Sequence, residues 1–414
     1  MKINYTLAAL FCAATLTTGC SSDTDEMLED SSASIERPAP NLNVFAPADN
    51  AKELNGTSAQ KVNTLLKKMS PEIAKGYGYI QIKPAEVEEI KVFTDDLVKD
   101  CTSDLEKFET IFKWLHDNIE YKHEYEGGDF ISNDPYPVFK THVAICQGFS
   151  NLQHIMLESQ NIPTINVNGD YVGVGGHAWN YVYVNNRWWV SDATNNGKWL
   201  ISQEKNYKHL QPHSIDAVLF ETDEATFNFY NDQLNVDSIK TPNSQFIVPY
   251  SAGGFKVTSL CPTKTVPSHI KELYISKNIK DFGNTYYRGL EKNAPSIEAA
   301  YVSPENIYFE SYTGVVYQKR NNQLHYIPAA LKQMELLPSK VLDKNVVFEQ
   351  PGLEEVIIPN GVEEISDYAF EKCPNLRIAH IPEGVKVAER AFWDVHPDFK
   401  IVREDLTGIP EIRI

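Results

Sequence analysis

The stretch Leu353-Glu354-Glu355-Val356-Ile357-Ile358-Pro359 returns as Leu376-Arg377-Ile378-Ala379-His380-Ile381-Pro382, a shift of 23 residues, and Gly361-Val362 returns as Gly384-Val385 at the same shift. Ala369-Phe370 returns as Ala391-Phe392, one residue early. An older copy begins at Ile270, where Leu273, Ile275, Ile279 and Phe282 stand for Val356, Ile358, Val362 and Ile365. Leucine and isoleucine at fixed offsets in a period of this length specify a solenoid. Each unit supplies a short strand and a turn, and its apolar face is buried only by stacking on its neighbours. Cys373, inside one unit, reads as a small buried repeat residue rather than a nucleophile.

Ile357-Ile358-Pro359, Gly361-Val362 and Asp367-Tyr368-Ala369-Phe370-Glu371-Lys372-Cys373 together resemble the BspA-type leucine-rich repeat of bacterial surface proteins. Asn306 to Tyr317, with Thr313-Gly314-Val315-Val316-Tyr317, looks like that family's frequent insertion. The resemblance covers roughly residues 266–405, with an irregular middle from 318 to 350. It implies a domain that recognises a protein or glycan partner.

Upstream the periodicity changes character. Val62, Leu65, Leu66 and Met69 fall at helical spacing, a second helix is predicted over Ala85 to Val98, and Ser103-Asp104-Leu105-Glu106 resembles a capping box that opens a third. Phe108, Ile111, Phe112 and Leu115 form the apolar face of that third helix. A fourth runs from about Gln147 to Gln160, with Phe149, Leu152, Ile155 and Met156 at a 3.6-residue period. After Asn161-Ile162-Pro163 the period becomes two: Ile165 and Val167, then His177 to Val184, then Trp188-Trp189-Val190 read as strands, with Asn185-Asn186 as the hairpin turn. Helices followed by an antiparallel sheet imply an α+β domain. Residues 221–265 carry no pattern beyond strand character from Phe246 to Tyr250.

Three segments of this domain carry chemistry: Ala144-Ile145-Cys146-Gln147-Gly148-Phe149-Ser150, Gly175-Gly176-His177-Ala178-Trp179-Asn180 and Trp188-Trp189-Val190-Ser191-Asp192-Ala193-Thr194. A cysteine is a strong nucleophile only as thiolate, and a free thiol titrates near 8.5, so the site must lower that value. The N-terminus of a helix favours negative charge, which suits Cys146. An imidazole at His177 can hold the thiol proton, and Asp192 can fix its tautomer and stabilise its charge. The turn at Asn185-Asn186 lies midway between residues 178 and 193, so His177 and Asp192 are expected to be approximate neighbours across it. His154, within the apolar-periodic helix, reads as a packed core histidine, and Gly173, Gly175 and Gly176 as backbone freedom before His177.

These three segments resemble the transglutaminase-like superfamily, in particular bacterial members with C-Q-G-[FY], H-A-W-N and D-A/V-T motifs, over about residues 60–220. The resemblance implies a papain-like fold, with Cys146 as nucleophile, His177 as acid/base and Asp192 as orienting group. It also implies amide chemistry through an acyl-enzyme thioester, released to water or to an amine. The backbone N–H of Cys146 is one oxyanion donor candidate; Trp114, Tyr121 and His142 are candidates for the second. No EF-hand-like loop and no Cys/His cluster of metal-ligand spacing is present, so no metal and no cofactor is expected.

The N-terminus reads as an export signal: Lys2, a short apolar run from Leu7 to Ala14, then Leu16-Thr17-Thr18-Gly19-Cys20, which resembles a bacterial lipobox with Cys20 as the lipidated residue. Asp23, Asp25 and Glu26 look like an acidic surface-sorting signal, and the polar stretch to about residue 50 reads as a tether. The formal net charge of -18 argues against nucleic acid and against an anionic membrane surface as partners, leaving the lipid as the membrane contact. The six cysteines form no disulfide framework.

The expected plan is a lipoprotein signal peptide (1–19), a flexible tether (20–56), a transglutaminase-like catalytic domain (57–220), a connecting segment (221–265), a leucine-rich-repeat domain (266–405) and a C-terminal tail (406–414). The expected protein is an exported, lipid-anchored outer-membrane or cell-surface thiol enzyme acting on protein or peptide amides, with hydrolysis favoured over glutamine acyl transfer. The alternative is an adhesion or binding lipoprotein whose triad is inactive.

Overall fold

Ser103 opens its helix as expected, with its hydroxyl accepting from the N–H of Glu106 at 3.2 Å, but the reciprocal half of the cap is shifted: the Glu106 carboxylate reaches back to the N–H and hydroxyl of Thr102, at 2.6 and 2.7 Å. The computed structural model describes residues 58–68, 80, 82–122, 131–194, 210–215, 218–230, 233–282 and 289–404. Cys20, the expected signal peptide and tether, and the expected tail lie outside these residues.

Helix α1 (Ala59–Leu65) is shorter than its apolar spacing predicts. Leu66 leaves it to begin β1 (Leu66–Lys68), because the chain here gains a pairing partner in β8 (Val218–Glu221) that a longer helix would forfeit. Helices α2 (Pro84–Leu97), α3 (Asp104–Asn118), α4 (Pro135–Thr141) and α5 (Cys146–Ser159) form one layer of the domain. Phe108, Ile111, Phe112 and Leu115 of α3 are buried, as their spacing requires. Helix α5 is buried all round from Gly148 to Leu157, not only along its apolar stripe. Gly148 permits this: a Cβ there would lie 2.9 Å from both the Ala144 and Val138 side chains.

The second layer is an antiparallel sheet of β4 (Thr164–Tyr171), β5 (Gly175–Val184), β6 (Arg187–Ser191) and β7 (Leu210–Ile215), in the order β6-β5-β4-β7. Asn185 and Asn186 both have positive φ, 52° and 59°, the geometry of a two-residue turn whose twist matches the strands it joins. Two short strands, β2 (Glu120–Tyr121) and β3 (Val143–Ala144), pair in parallel beside the start of α5. Gly169 is required by close approach, since a Cβ there would fall 2.0 Å from the Gln211 carbonyl oxygen of β7.

Residues 221–265, expected as a connecting segment, are built into sheet. Strands β8, β9 (Ala225–Tyr230), β10 (Gln233–Ile239), β12 (Ser251–Ala252) and β13 (Phe255–Leu260) join β1 in a six-stranded sheet, while β11 (Gln245–Ile247) opens the solenoid instead. Tyr181 and Trp188 of the four-stranded sheet pack at a tilt against Phe255, and the Trp188 indole donates to the Gly253 carbonyl at 2.6 Å. One apolar core therefore runs from Val167 and Trp188 through Phe227 and Val257 into Leu273 and Ile275 of the first coils.

The solenoid begins earlier than the repeat reading placed it. Gln245, Glu272 and Ala299 are register partners in a parallel ladder with a 27-residue step. An antiparallel three-stranded insertion follows, Phe309–Tyr312, Val315–Gln318 and Gln323–Tyr326. The ladder then resumes through Gln333, Glu355, Ile378 and Lys400 at steps of 22 or 23 residues. Leu273, Ile275, Ile279 and Phe282 are all buried, and so is Cys373, whose thiol burial pushes up to about 11.

Candidate active site

Cys146 is the first residue of α5, and no side chain caps that helix end. The unsatisfied amide groups of its first turn are thus available to an anion. The Gln147 and Ala178 N–H groups, from the helix turn and from β5, lie near enough to the Cys146 sulfur to favour its thiolate. His177, beside Ala178, is the neighbour that favours it most. Its other side is held by Asp192, with His177 Nε2 donating to Asp192 Oδ2 at 2.7 Å. The β5–β6 ladder runs to Asn180 opposite Ser191, so His177 and Asp192 lie just beyond its end, where the Asn185-Asn186 turn placed them as neighbours.

Asp192 is itself anchored. Its second oxygen accepts from the Thr194 N–H at 3.1 Å and from the Thr194 hydroxyl at 2.6 Å. The side chains of His177 and Asp192 are 11% and 5% exposed, so both the acid/base candidate and its anchor are largely withdrawn from water. His177 packs edge-on against Tyr171 and stacks with Trp179 at 6.1 Å between ring centroids.

The electrostatics follow from these contacts. Burial pushes the Cys146 thiol up, but the His177 hydrogen bond and charge, aided by the Ala178 and Gln147 N–H groups, outweigh it and hold the thiol below its ordinary value. Burial likewise pulls His177 down, yet the hydrogen bonds to Asp192 and Cys146 and their charges carry it up to about 9. Asp192 is held below the usual carboxylate range: the His177 hydrogen bond and charge, with the Thr194 donors, overcome its burial. The three groups therefore favour thiolate, imidazolium and carboxylate in line.

Of the three candidates for the second oxyanion donor, Tyr121 is the one whose hydroxyl meets Cys146, at both the sulfur and the backbone N–H. The parallel pairing of Tyr121 with Ala144 brings it there. Burial and the neighbouring sulfur raise its phenol above the ordinary value, so it stays a donor. Trp114 instead packs among Phe93, Phe139 and His142, and His142 caps α4 in the left-handed conformation with φ 59°. His154 is buried in α5, as a core histidine, with Nε2 3.5 Å from Glu158. Among the described residues no group of three or more His, Cys, Asp or Glu is arranged to hold a metal ion.

The sequence reading missed the polar layer beneath the triad. Ser150, Asn151, Gln153, Asn166, Asn180 and Ser191 are all buried and hydrogen-bonded to one another or to nearby backbone. The available signal was the run of polar residues in α5 at positions where a helix packed on a sheet should be apolar.

Residues 91–193 match the model of the transglutaminase-like superfamily, and residues 337–402 match the BspA type leucine-rich repeat region in six copies. The chain thus carries a transglutaminase-like core followed by BspA-type repeats. It is 30% identical to the kyphoscoliosis peptidase of Mus musculus over 111 residues, 24% of this chain and 17% of that protein, so it spans only a small part of this relative. Among solved structures, it resembles a candidate cysteine protease from Cytophaga hutchinsonii (14% identity, 36% of this chain and 50% of that one, TM-score 0.28). It also resembles a leucine-rich repeat protein from Eubacterium ventriosum (18% identity, 38% and 41%, TM-score 0.24).

Proposed function

We propose that this protein is a thiol enzyme that cleaves amide bonds through an acyl-enzyme thioester, with Cys146 as nucleophile, His177 as acid/base and Asp192 as its anchor. The observation that carries the reading is the placement of His177 beside the Cys146 thiol, which it holds below its ordinary value, and on Asp192, to which it is bonded at 2.7 Å with the carboxylate 5% exposed. In the first step the thiolate attacks the carbonyl carbon and the carbonyl electrons move to oxygen. The Cys146 N–H and the Tyr121 hydroxyl, neighbours beside the sulfur, are the donors assigned to that oxyanion. The imidazolium of His177 gives its proton to the amide nitrogen, which leaves as an amine, and a thioester remains on Cys146. Neutral His177 then takes a proton from water, whose oxygen attacks the thioester, releasing a carboxylic acid and returning the thiolate–imidazolium pair.

Hydrolysis is favoured over transfer to an amine because water is always at hand, and the name of the peptidase relative is consistent with it. The repeats supply partner recognition, for a protein or a glycan. Lys2 through Cys20 supports export and lipidation at Cys20, holding the enzyme at the outer membrane or cell surface by its lipid alone.

The test is the pH dependence of iodoacetamide alkylation at Cys146, read by mass spectrometry. Alkylation is expected to stay fast well below pH 7, since the thiol is held below its ordinary value. A profile centred near the free-thiol value of about 8.5 overturns the reading. A second expectation concerns Tyr121→Phe, which removes one oxyanion donor. Turnover of a protein substrate such as casein should fall roughly 100-fold while the alkylation profile stays close to wild type. Equal turnover by the variant would remove Tyr121 from the mechanism.

A further inference from the structure

Helix α5 carries the nucleophile, β5 carries His177 and Asp192 follows directly on β6, so three separate elements must be held in register for the triad to form. An apolar interface alone fixes distance between layers better than it fixes sliding, because its contacts are non-directional. The interface below the triad is not apolar. Gln147, next to Cys146, donates from its side chain to Asn151 Oδ1 at 2.9 Å. The same oxygen accepts from Asn166 Nδ2 on β4 at 2.7 Å, and Asn166 Oδ1 accepts from Asn180 Nδ2 on β5 at 2.6 Å. Asn166 and Asn180 are register partners in the β4–β5 ladder.

Two further links tie α5 to the strands that position the other triad members. Asn180 Nδ2 also donates to the Ser150 carbonyl at 3.1 Å, while the Ser150 hydroxyl donates to the Trp179 carbonyl at 2.9 Å, two residues from His177. Gln153 and Ser191 share a pair of side-chain hydrogen bonds, at 3.0 and 3.2 Å, and Ser191 precedes Asp192. Gln153, Asn166 and Ser191 are fully buried and Asn180 is 1% exposed.

This layer is a poor choice for stability. Asn180 Oδ1 and Trp179 Nε1 are buried without a partner among the described residues, and each unmade hydrogen bond of that kind opposes folding. What the layer supplies is direction, since amide bonds hold one register and no other. We infer that the chain Gln147–Asn151–Asn166–Asn180, with the Gln153–Ser191 pair, is the positioning device that aligns the Cys146 thiol with His177. The inference rests on the thiol-enzyme reading above. Displacements near 1 Å at such a site cost about 100-fold in rate, so alignment is worth the stability it forgoes.

The experiment uses the full chain with the nearly isosteric variants Asn180→Leu and Gln153→Leu, each made separately, and Leu152→Ala as control. Leu152 is buried in the same helix but belongs to an apolar cluster and is not a member of the amide chain. Alkylation of Cys146 against pH and the thermal midpoint are measured for all. The leucine variants are expected to lower the thermal midpoint, because Asn180→Leu leaves Asn166 Oδ1 and the Ser150 carbonyl, and Gln153→Leu leaves the Ser191 hydroxyl, buried with a hydrogen bond lost. Their alkylation at pH 6 is expected to fall tenfold or more, with the profile moved toward the free thiol. Leu152→Ala is expected to lower the thermal midpoint and keep the wild-type alkylation profile.

Wild-type profiles in both leucine variants overturn the inference. So does a Leu152→Ala profile that shifts as far as theirs, which would reduce the amide chain to packing. If Asn180→Leu does not fold, Gln153→Leu decides alone. A wild-type protein that alkylates like a free thiol overturns the thiol-enzyme reading instead, so the two failures are distinct.

Discussion

His177→Ala is expected to move the alkylation midpoint of Cys146 to the free-thiol range or above it, and to abolish turnover. Burial is the largest influence on this thiol and it raises the value; His177 is the largest of those that lower it. Without the imidazole only the Ala178 and Gln147 N–H groups remain against burial. A thiol titrating near 8.5 is only about 0.3% ionised at pH 6, so alkylation there should drop by roughly 100-fold, partly offset by the greater nucleophilicity of a more basic thiolate. Mass-spectrometric alkylation rates at pH 6 and pH 9 measure it. Near-equal rates for wild type and variant at pH 6 would mean that the helix end alone activates the sulfur, and would strip His177 of its role. The effect on turnover is larger still, since the variant loses the proton donor for the leaving amine as well as the thiolate.

The same contrast explains what was legible in the sequence. The triad residues stand in compact local patterns: Cys146 opens an apolar-periodic helix, and His177 and Asp192 flank a hairpin whose Asn185-Asn186 turn sets their register. Local patterning fixes such geometry, so it can be read without the fold. The C-terminal coils were legible for a similar reason, because successive units repeat their own apolar offsets. What escaped depends on pairing between distant segments. Leu66 has good helical spacing but is claimed by β8, more than 150 residues away. The first coils step by 27 residues rather than 22 or 23, and the Phe309–Tyr326 insertion then interrupts them, so Gln245–Ile247 shows no repeat signature. Tyr121 reaches Cys146 only through the parallel pairing of two two-residue strands. The buried asparagines carry no sequence pattern of their own that marks them as interior, because polar type normally means exposure.

Asp192→Asn is expected to keep the shape of the site and lose most of its activity, between about 100-fold and about 10,000-fold in turnover. The Asp192 carboxylate accepts from His177 and from both donors of Thr194, so an amide must turn an N–H toward one of them. The sign of the pH effect is fixed by the groups involved. His177 is raised to about 9, chiefly by Asp192 once burial is overcome, so it contributes stability that is fully present below its unfolded value near 6.5 and is lost as pH rises through about 9. Asp192 is lowered, so its contribution is present above the unfolded carboxylate value of about 3.9 and is lost as pH falls through the folded one. In wild type, turnover should therefore decline on the alkaline side near pH 9, where His177 loses the proton it must deliver. In Asp192→Asn the imidazolium has lost its counter-charge, and the alkaline limb should move down toward 6.5. Acid unfolding should also become less steep, since a carboxylate that must be protonated to unfold has gone. The pH–rate profile and the ring titration of His177 by NMR measure both. An alkaline limb that stays near pH 9 in the variant would show that Asp192 does not hold the charge on His177, and the pair would then owe its ionisation to the thiolate alone.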